Sequence, residues 1–178
     1  MIHDFQESLE RSHAYEDAPW WREVYEQAFP SLAAMVCTRD DGWAQRGGID
    51  RVLTLKSGRT LTVDEKVREK DWPDVLLETW SDHAKRKPGW IQKELAVDFI
   101  AYAFAESRTC LLLPFQLLRR AWLQNGREWI NLANGKRDGY RFVDAENATY
   151  TTRNIAVPRD DLLSAIKGSM VVTWGANG

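Results

Sequence analysis

A chain of 178 residues, 44% hydrophobic and 28% charged, has globular composition and enough apolar surface to bury a core. A formal net charge of -2 excludes a polycation that grips nucleic acid by bulk charge, and two cysteines exclude a disulfide framework or a zinc-ligand spacing. No apolar run approaches membrane-spanning length and no secretory h-region opens the chain, so no membrane partner is expected. The expected location is a reducing, cytoplasmic compartment in a bacterium or phage-infected cell.

Residues 4–11 read as a short helix. A second helix is expected after Asp17, with Asp17 as its cap and Pro19 in its first turn. Trp21, Val24, Tyr25 and Ala28 fall at helical spacing, and Pro30 ends the run. Residues 48–55 and 59–68 alternate and are rich in β-branched side chains, as strands are. Lys56-Ser57-Gly58 between them is turn chemistry. A third strand at 74–81 would extend the pair into a meander. A basic loop with Lys85, Arg86 and Lys87 follows, then a short helical or irregular segment at 90–95. Residues 97–105 and 109–115 are nearly continuous apolar runs, which suit strands covered on both faces. A helix is expected over 114–124, stopped by Asn125-Gly126. Residues 126–150 look loop-rich, with a strand at 153–157 and a helix at 160–167 capped by Asp160. The succession describes a mixed α/β architecture around one sheet, in a single domain covering 1–178.

The hairpin at 48–68 carries the chemistry. If Lys56, Ser57 and Gly58 form a three-residue loop with Gly58 left-handed, Leu55 pairs with Arg59 and partner numbers sum to 114. Asp50 then opposes Asp64, and Asp64, Lys66 and Arg68 share a face with it. Leu53, Leu55, Leu61, Val63 and Val67 fall on the other, core face. Two opposed carboxylates repel unless a cation sits between them. A hard divalent ion held by Asp50, Asp64 and the Glu65 carbonyl is the obvious candidate, and Lys66 would orient a water or stabilise a charged transition state. The plainer alternative is a surface hairpin with an Asp–Lys pair and nothing bound, because Asp-x-Lys alone is common.

The run Gly48-Ile49-Asp50, a strand, a turn and then Val63-Asp64-Glu65-Lys66 resembles the core of the PD-(D/E)xK nuclease superfamily, over roughly residues 17–115. The first motif lacks its Pro. The resemblance implies a restriction-endonuclease-like αβββαβ core, with a mixed central sheet flanked by helices. It implies a Mg²⁺- or Mn²⁺-dependent nuclease, an endonuclease by preference, that hydrolyses phosphodiester bonds in DNA, with RNA as the alternative substrate and a homodimer as a compatible assembly. It makes Asp50, Asp64, Lys66 and Glu65 site residues. It also asks for an acid on the first helix, Glu23 or Glu26, with Glu23 as the candidate metal ligand. Gln45 becomes a candidate to contact phosphate or position water, and Gln92 loosely fits a polar position after the third strand. Glu78, inside an apolar strand, needs a partner, either Arg68 or the site. Two other readings stand beside this one. One is a catalytically inactive nucleic-acid-binding module of the same fold, which the near-neutral net charge favours. The other is a phage–host interaction protein, which the nine tryptophans favour.

Overall fold

The computed structural model describes residues 15, 17–38 and 40–175, apart from the Gln45 side chain. The helix expected at 4–11 lies outside them. In chain order the elements are α1 (Trp20–Ala28), β1 (Leu32–Cys37), α2 (Gly42–Arg46), β2 (Arg51–Leu55), β3 (Thr60–Arg68), β4 (Asp74–Asp82) and β5 (Lys87–Pro88). After a 3₁₀ turn (Trp90–Gln92) come β6 (Phe99–Phe104), β7 (Thr109–Pro114), α3 (Phe115–Asn134), β8 (Arg141–Glu146), β9 (Thr151–Pro158), α4 (Arg159–Ile166) and β10 (Met170–Thr173). The described residues gather into two compact units, one from 15–71, 95–116 and 168–175, the other from 72–94 and 117–167.

The first unit is built on a six-stranded sheet in the order β1-β2-β3-β6-β7-β10. Only the β3–β6 pair is parallel; the other neighbours are antiparallel. Helix α1 packs Trp21, Val24 and Tyr25, all fully buried, into a cluster with Leu53, Leu61, Val63, Ala101, Ala103 and Leu112 from the sheet. These are the spacings the sequence shows, 3.6-residue on the helix and two-residue on β2 and β3. The helix runs from Trp20, with Pro19 in the N-cap position expected of Asp17. Proline already has helical φ and no N–H to leave unsatisfied there.

The hairpin follows the expected register. Arg51 pairs with Val63, Val52 with Thr62, Leu53 with Leu61 and Thr54 with Thr60. The Leu55 N–H donates to the Arg59 carbonyl at 2.8 Å, and Gly58 takes φ +83°, a value open to glycine.

The meander has a different membership from the expected one. Its first strand is β1, whose Leu-Ala-Ala-Met-Val-Cys sequence carries no alternation to betray it. The edge of β3 opposite β2 is taken by β6, not by β4. A central position covered on both faces favours the strand that is apolar on both faces, and Phe-Ile-Ala-Tyr-Ala-Phe is that strand.

In the second unit β4 joins a four-stranded antiparallel sheet, β5-β4-β9-β8. Strand β8 forms inside the stretch that reads as loop. The strand expected at 153–157 extends to Thr151–Pro158. Asn125-Gly126 does not stop α3, which runs 20 residues. The Asn125 side chain donates to the Ala121 carbonyl one turn back, at 3.0 Å, and the Trp122 ring lies over Gly126. The Glu78 carboxylate accepts the Trp90 N–H at 3.2 Å, and Gln92 donates to the Thr79 carbonyl, so both polar groups hold the 3₁₀ turn to β4. Asp160 lies in the first turn of α4 without capping it through its side chain.

Gly89 is the tightest point of this unit. A Cβ there would lie 2.2 Å from the Glu78 carbonyl oxygen, inside a strand paired on both sides. Gly89→Ala is expected to destabilise the protein by at least about 2 kcal/mol in urea melts, because backbone must move to admit the methyl. Gly42→Ala, with nothing within 4 Å of its added carbon, is expected to be neutral or to stabilise by up to about 1 kcal/mol. Equal midpoints for the two variants would refute this account of the packing.

Candidate active site

The residues singled out on the hairpin meet where the β2–β3 ladder ends. Leading into β2, Gly48 takes φ +72° against the Leu95 side chain, and Thr38 then grips the strand entry. The Thr38 N–H donates to the Asp50 carbonyl at 2.9 Å and its hydroxyl donates to the Ile49 carbonyl at 2.6 Å. At Asp50 the ladder slips. The Asp50 N–H goes to the Val63 carbonyl at 2.9 Å, although Val63 is already the register partner of Arg51. Asp50 and Arg51 thus both meet Val63 of β3, as in a β-bulge. The next outward-pointing amide of β3, that of Glu65, finds the Asp50 carboxylate, whose Oδ2 accepts it at 2.8 Å.

Asp64 is 3% exposed and ion-pairs with the Lys66 Nζ at 2.5 Å. Its carboxyl is pushed up to about 7. Burial is the largest cause, Lys66 pulls the other way, and Asp50 pushes it up further by its charge and by a hydrogen bond that needs a proton on one of the two carboxyls. Asp50, Asp64 and Lys66 are therefore together, as the register argument requires.

Glu65 behaves differently. Its side chain points to the opposite face of the sheet, where the Arg51 Nε and Nη2 donate to it at 2.6 and 3.1 Å and the Tyr25 hydroxyl donates at 2.6 Å. Burial raises its carboxyl, and Arg51 and Tyr25 oppose the rise. So the Glu65 carboxylate is not available as a ligand. Its main-chain carbonyl is a different matter. In an extended strand a residue's N–H and C=O leave by the same edge, and the N–H already reaches Asp50.

Glu23 is the candidate ligand on the first helix. Its Oε2 accepts the Gly175 N–H at 2.9 Å, and Glu26 pairs with Arg22 at 3.3 Å on the surface. Tyr25, on the buried stripe of the same helix, is the residue that reaches the hairpin. Gln45 falls in α2, and its side chain is outside the described part of the structure. Among the described residues no group of three or more acidic, histidine or cysteine side chains is arranged to hold a metal ion. The available donor set is two carboxylates and one main-chain oxygen. It is all oxygen, which suits a hard cation such as Mg²⁺ that keeps several waters and completes its shell with a substrate phosphate.

Arg51 and Tyr25 were not among the sequence candidates, but a signal for them existed. Glu65 falls on the same parity as Leu61, Val63 and Val67, so it needs a buried partner. Arg51, opposite Val63, is the nearest cation of that parity.

No protein-family model, curated protein or solved structure matches the chain. No helix among the described residues is long and apolar enough to cross a membrane.

A carboxyl held near 7 when folded and near 4 when unfolded binds an extra proton in the native state between those values. Metal-free stability should therefore fall as pH rises from about 4 to about 7 and level off above, a loss on the order of 4 kcal/mol at most from this group. Asp64→Asn should lack this part of the slope and be the more stable protein at pH 8 in chelator. Denaturation at a series of pH values checks it, and parallel curves for the two proteins would contradict it.

Proposed function

We propose that this chain is a divalent-metal-dependent nuclease that hydrolyses phosphodiester bonds in DNA. The observation that carries the reading is the meeting of Asp50, Asp64 and Lys66 at the end of one strand pair, with the Asp64 carboxyl raised by burial and, further, by Asp50. Two adjacent carboxylates, one of them buried, cost folding free energy, and acids perturbed in this way cluster at functional sites. The order of elements supports the αβββαβ resemblance. Helix α1 precedes an antiparallel β1-β2-β3 meander, and β6 lies parallel beside β3. One departure stands out: β4, β5 and a 3₁₀ turn occupy the chain where that core has its second helix.

The Asp50 and Asp64 carboxylates and the Glu65 carbonyl would hold Mg²⁺ or Mn²⁺. When bound, such an ion lowers the pKa of a ligated water and offsets charge on the scissile phosphate. Lys66 does the rest of the electrostatic work. Its ammonium is fixed by Asp64 yet its side chain is 34% exposed, so it meets solvent and substrate from a defined position. From there it orients the attacking water and stabilises negative charge on the phosphate as that charge grows. Asp50 is held in place by the Glu65 amide, which donates to one of its carboxylate oxygens.

The test is purified protein with linear, circular and branched DNA, and RNA in parallel, in Mn²⁺. Asp64→Ala and Lys66→Ala are expected to lower the cleavage rate at least about 100-fold. Asp50→Ala is expected to abolish Mn²⁺ binding by calorimetry. Cleavage unchanged in all three variants would assign the activity to a contaminant. Tight metal and DNA binding without cleavage of any substrate would leave a binding module in place of an enzyme.

A further inference from the structure

The Arg51–Glu65 pair is hard to justify as a stability device. Its side chains are 7% and 3% exposed, and both charges have been taken out of water. Pairs of this kind are often matched or exceeded in stability by well-packed apolar side chains of similar size. Glu65 lies between the two residues whose side chains face the site, and strand alternation turns its own side chain to the other face. What the pair does geometrically is specific. Arg51 directly follows Asp50, and Glu65 sits between Asp64 and Lys66. The ladder stops at this point, with the Asp50 and Arg51 residues both set against Val63. No main-chain pairing beyond it fixes Asp50 against Asp64. The Arg51 fork on Glu65 closes the gap from behind the sheet, and the Tyr25 hydroxyl ties Glu65 to α1. On the site side the same residue's N–H is aimed at the Asp50 carboxylate.

We propose that Arg51, Glu65 and Tyr25 are positioning residues for the site on the opposite face: by fixing the Glu65 backbone against β2 they hold the Asp50 carboxylate opposite Asp64. The proposal rests on the nuclease reading for its purpose but not for its geometry. A planar, two-pronged guanidinium on a carboxylate constrains orientation as well as distance, which a lysine or an apolar contact does not. Misplacement of a ligand by about 1 Å is enough to cost a site much of its function.

The experiment compares wild type with the double variant Arg51→Met/Glu65→Met, which replaces both charges by apolar side chains, and with the single variants Arg51→Lys and Tyr25→Phe. Amide hydrogen exchange is followed by NMR without metal, together with thermal melting, Mn²⁺ affinity, and kcat and KM for cleavage. The double variant should melt within a few degrees of wild type. Its residue-65 amide should exchange at least about 10-fold faster, while the Leu55 amide, inside the ladder, is unchanged. Mn²⁺ affinity should fall about 10-fold or more and kcat about 100-fold, with KM little altered. Arg51→Lys should restore the melting temperature of a paired site but not kcat. Unchanged exchange at residue 65, or unchanged kcat in a folded double variant, would overturn the proposal. If the double variant does not fold, Tyr25→Phe decides by the same two readouts, with a 3-fold or larger change in exchange expected. A wild type that neither binds Mn²⁺ nor cuts nucleic acid would sink the nuclease reading instead, and the exchange of the residue-65 amide would still settle the geometry.

Discussion

Two carboxylates confined beside each other at the end of a strand pair set the terms for the first unit. Asp64 is buried, Asp50 lies against it, and Lys66 offsets the charge of Asp64 without cancelling the repulsion. Such an arrangement costs folding free energy at neutral pH. It persists because the surrounding sheet over-determines it. Leu53, Leu61 and Val63 are locked into the apolar cluster beneath α1, so β2 and β3 cannot slide to separate the acids without exposing that whole face.

The opposite face of the same strands carries a second pair of charges under different rules. Arg51 and Glu65 are buried too, but they are fully matched, fork to carboxylate, with Tyr25 adding a third bond. The hairpin thus holds a satisfied ion pair on its core face and a frustrated pair of acids on its other face, a few residues apart. Glu65 links them, because its side chain serves one face and its amide the other. Perturbed acids gathered in this way are more common at functional sites than in structural networks, where charges are matched as they are at Arg51 and Glu65.

The insertion of the second unit shows what the chain can tolerate. Between β3 and its parallel neighbour β6 the chain leaves the first unit and builds β4 and β5 of another sheet. The parallel pairing of β3 and β6 survives, with Asp64 opposite Ile100 and Lys66 opposite Tyr102. A parallel connection must cross over in any case, so extra chain in the crossover adds little to the cost of closing it.

Much of the site was legible in the sequence because it is local. A three-residue loop with glycine in the left-handed position fixes the hairpin register, and alternation then decides which side chains share a face. That reasoning brings Asp50, Asp64 and Lys66 together from residue identities alone; the apolar stripe of α1 follows from periodicity, and β6 and β7 follow from their continuous apolar runs. What the sequence left open is non-local. Which strand pairs with the free edge of β3 depended on a competition between β4 and β6 that only packing on both faces resolves. The reach of Tyr25 from the first helix to the hairpin was not foreseen, because burial, and not charge, decides which side of a helix meets the sheet. The slip at Asp50 and the closing of Tyr25 on Glu65 depend on contacts between segments 15 to 40 residues apart, and no pattern within a single segment encodes those.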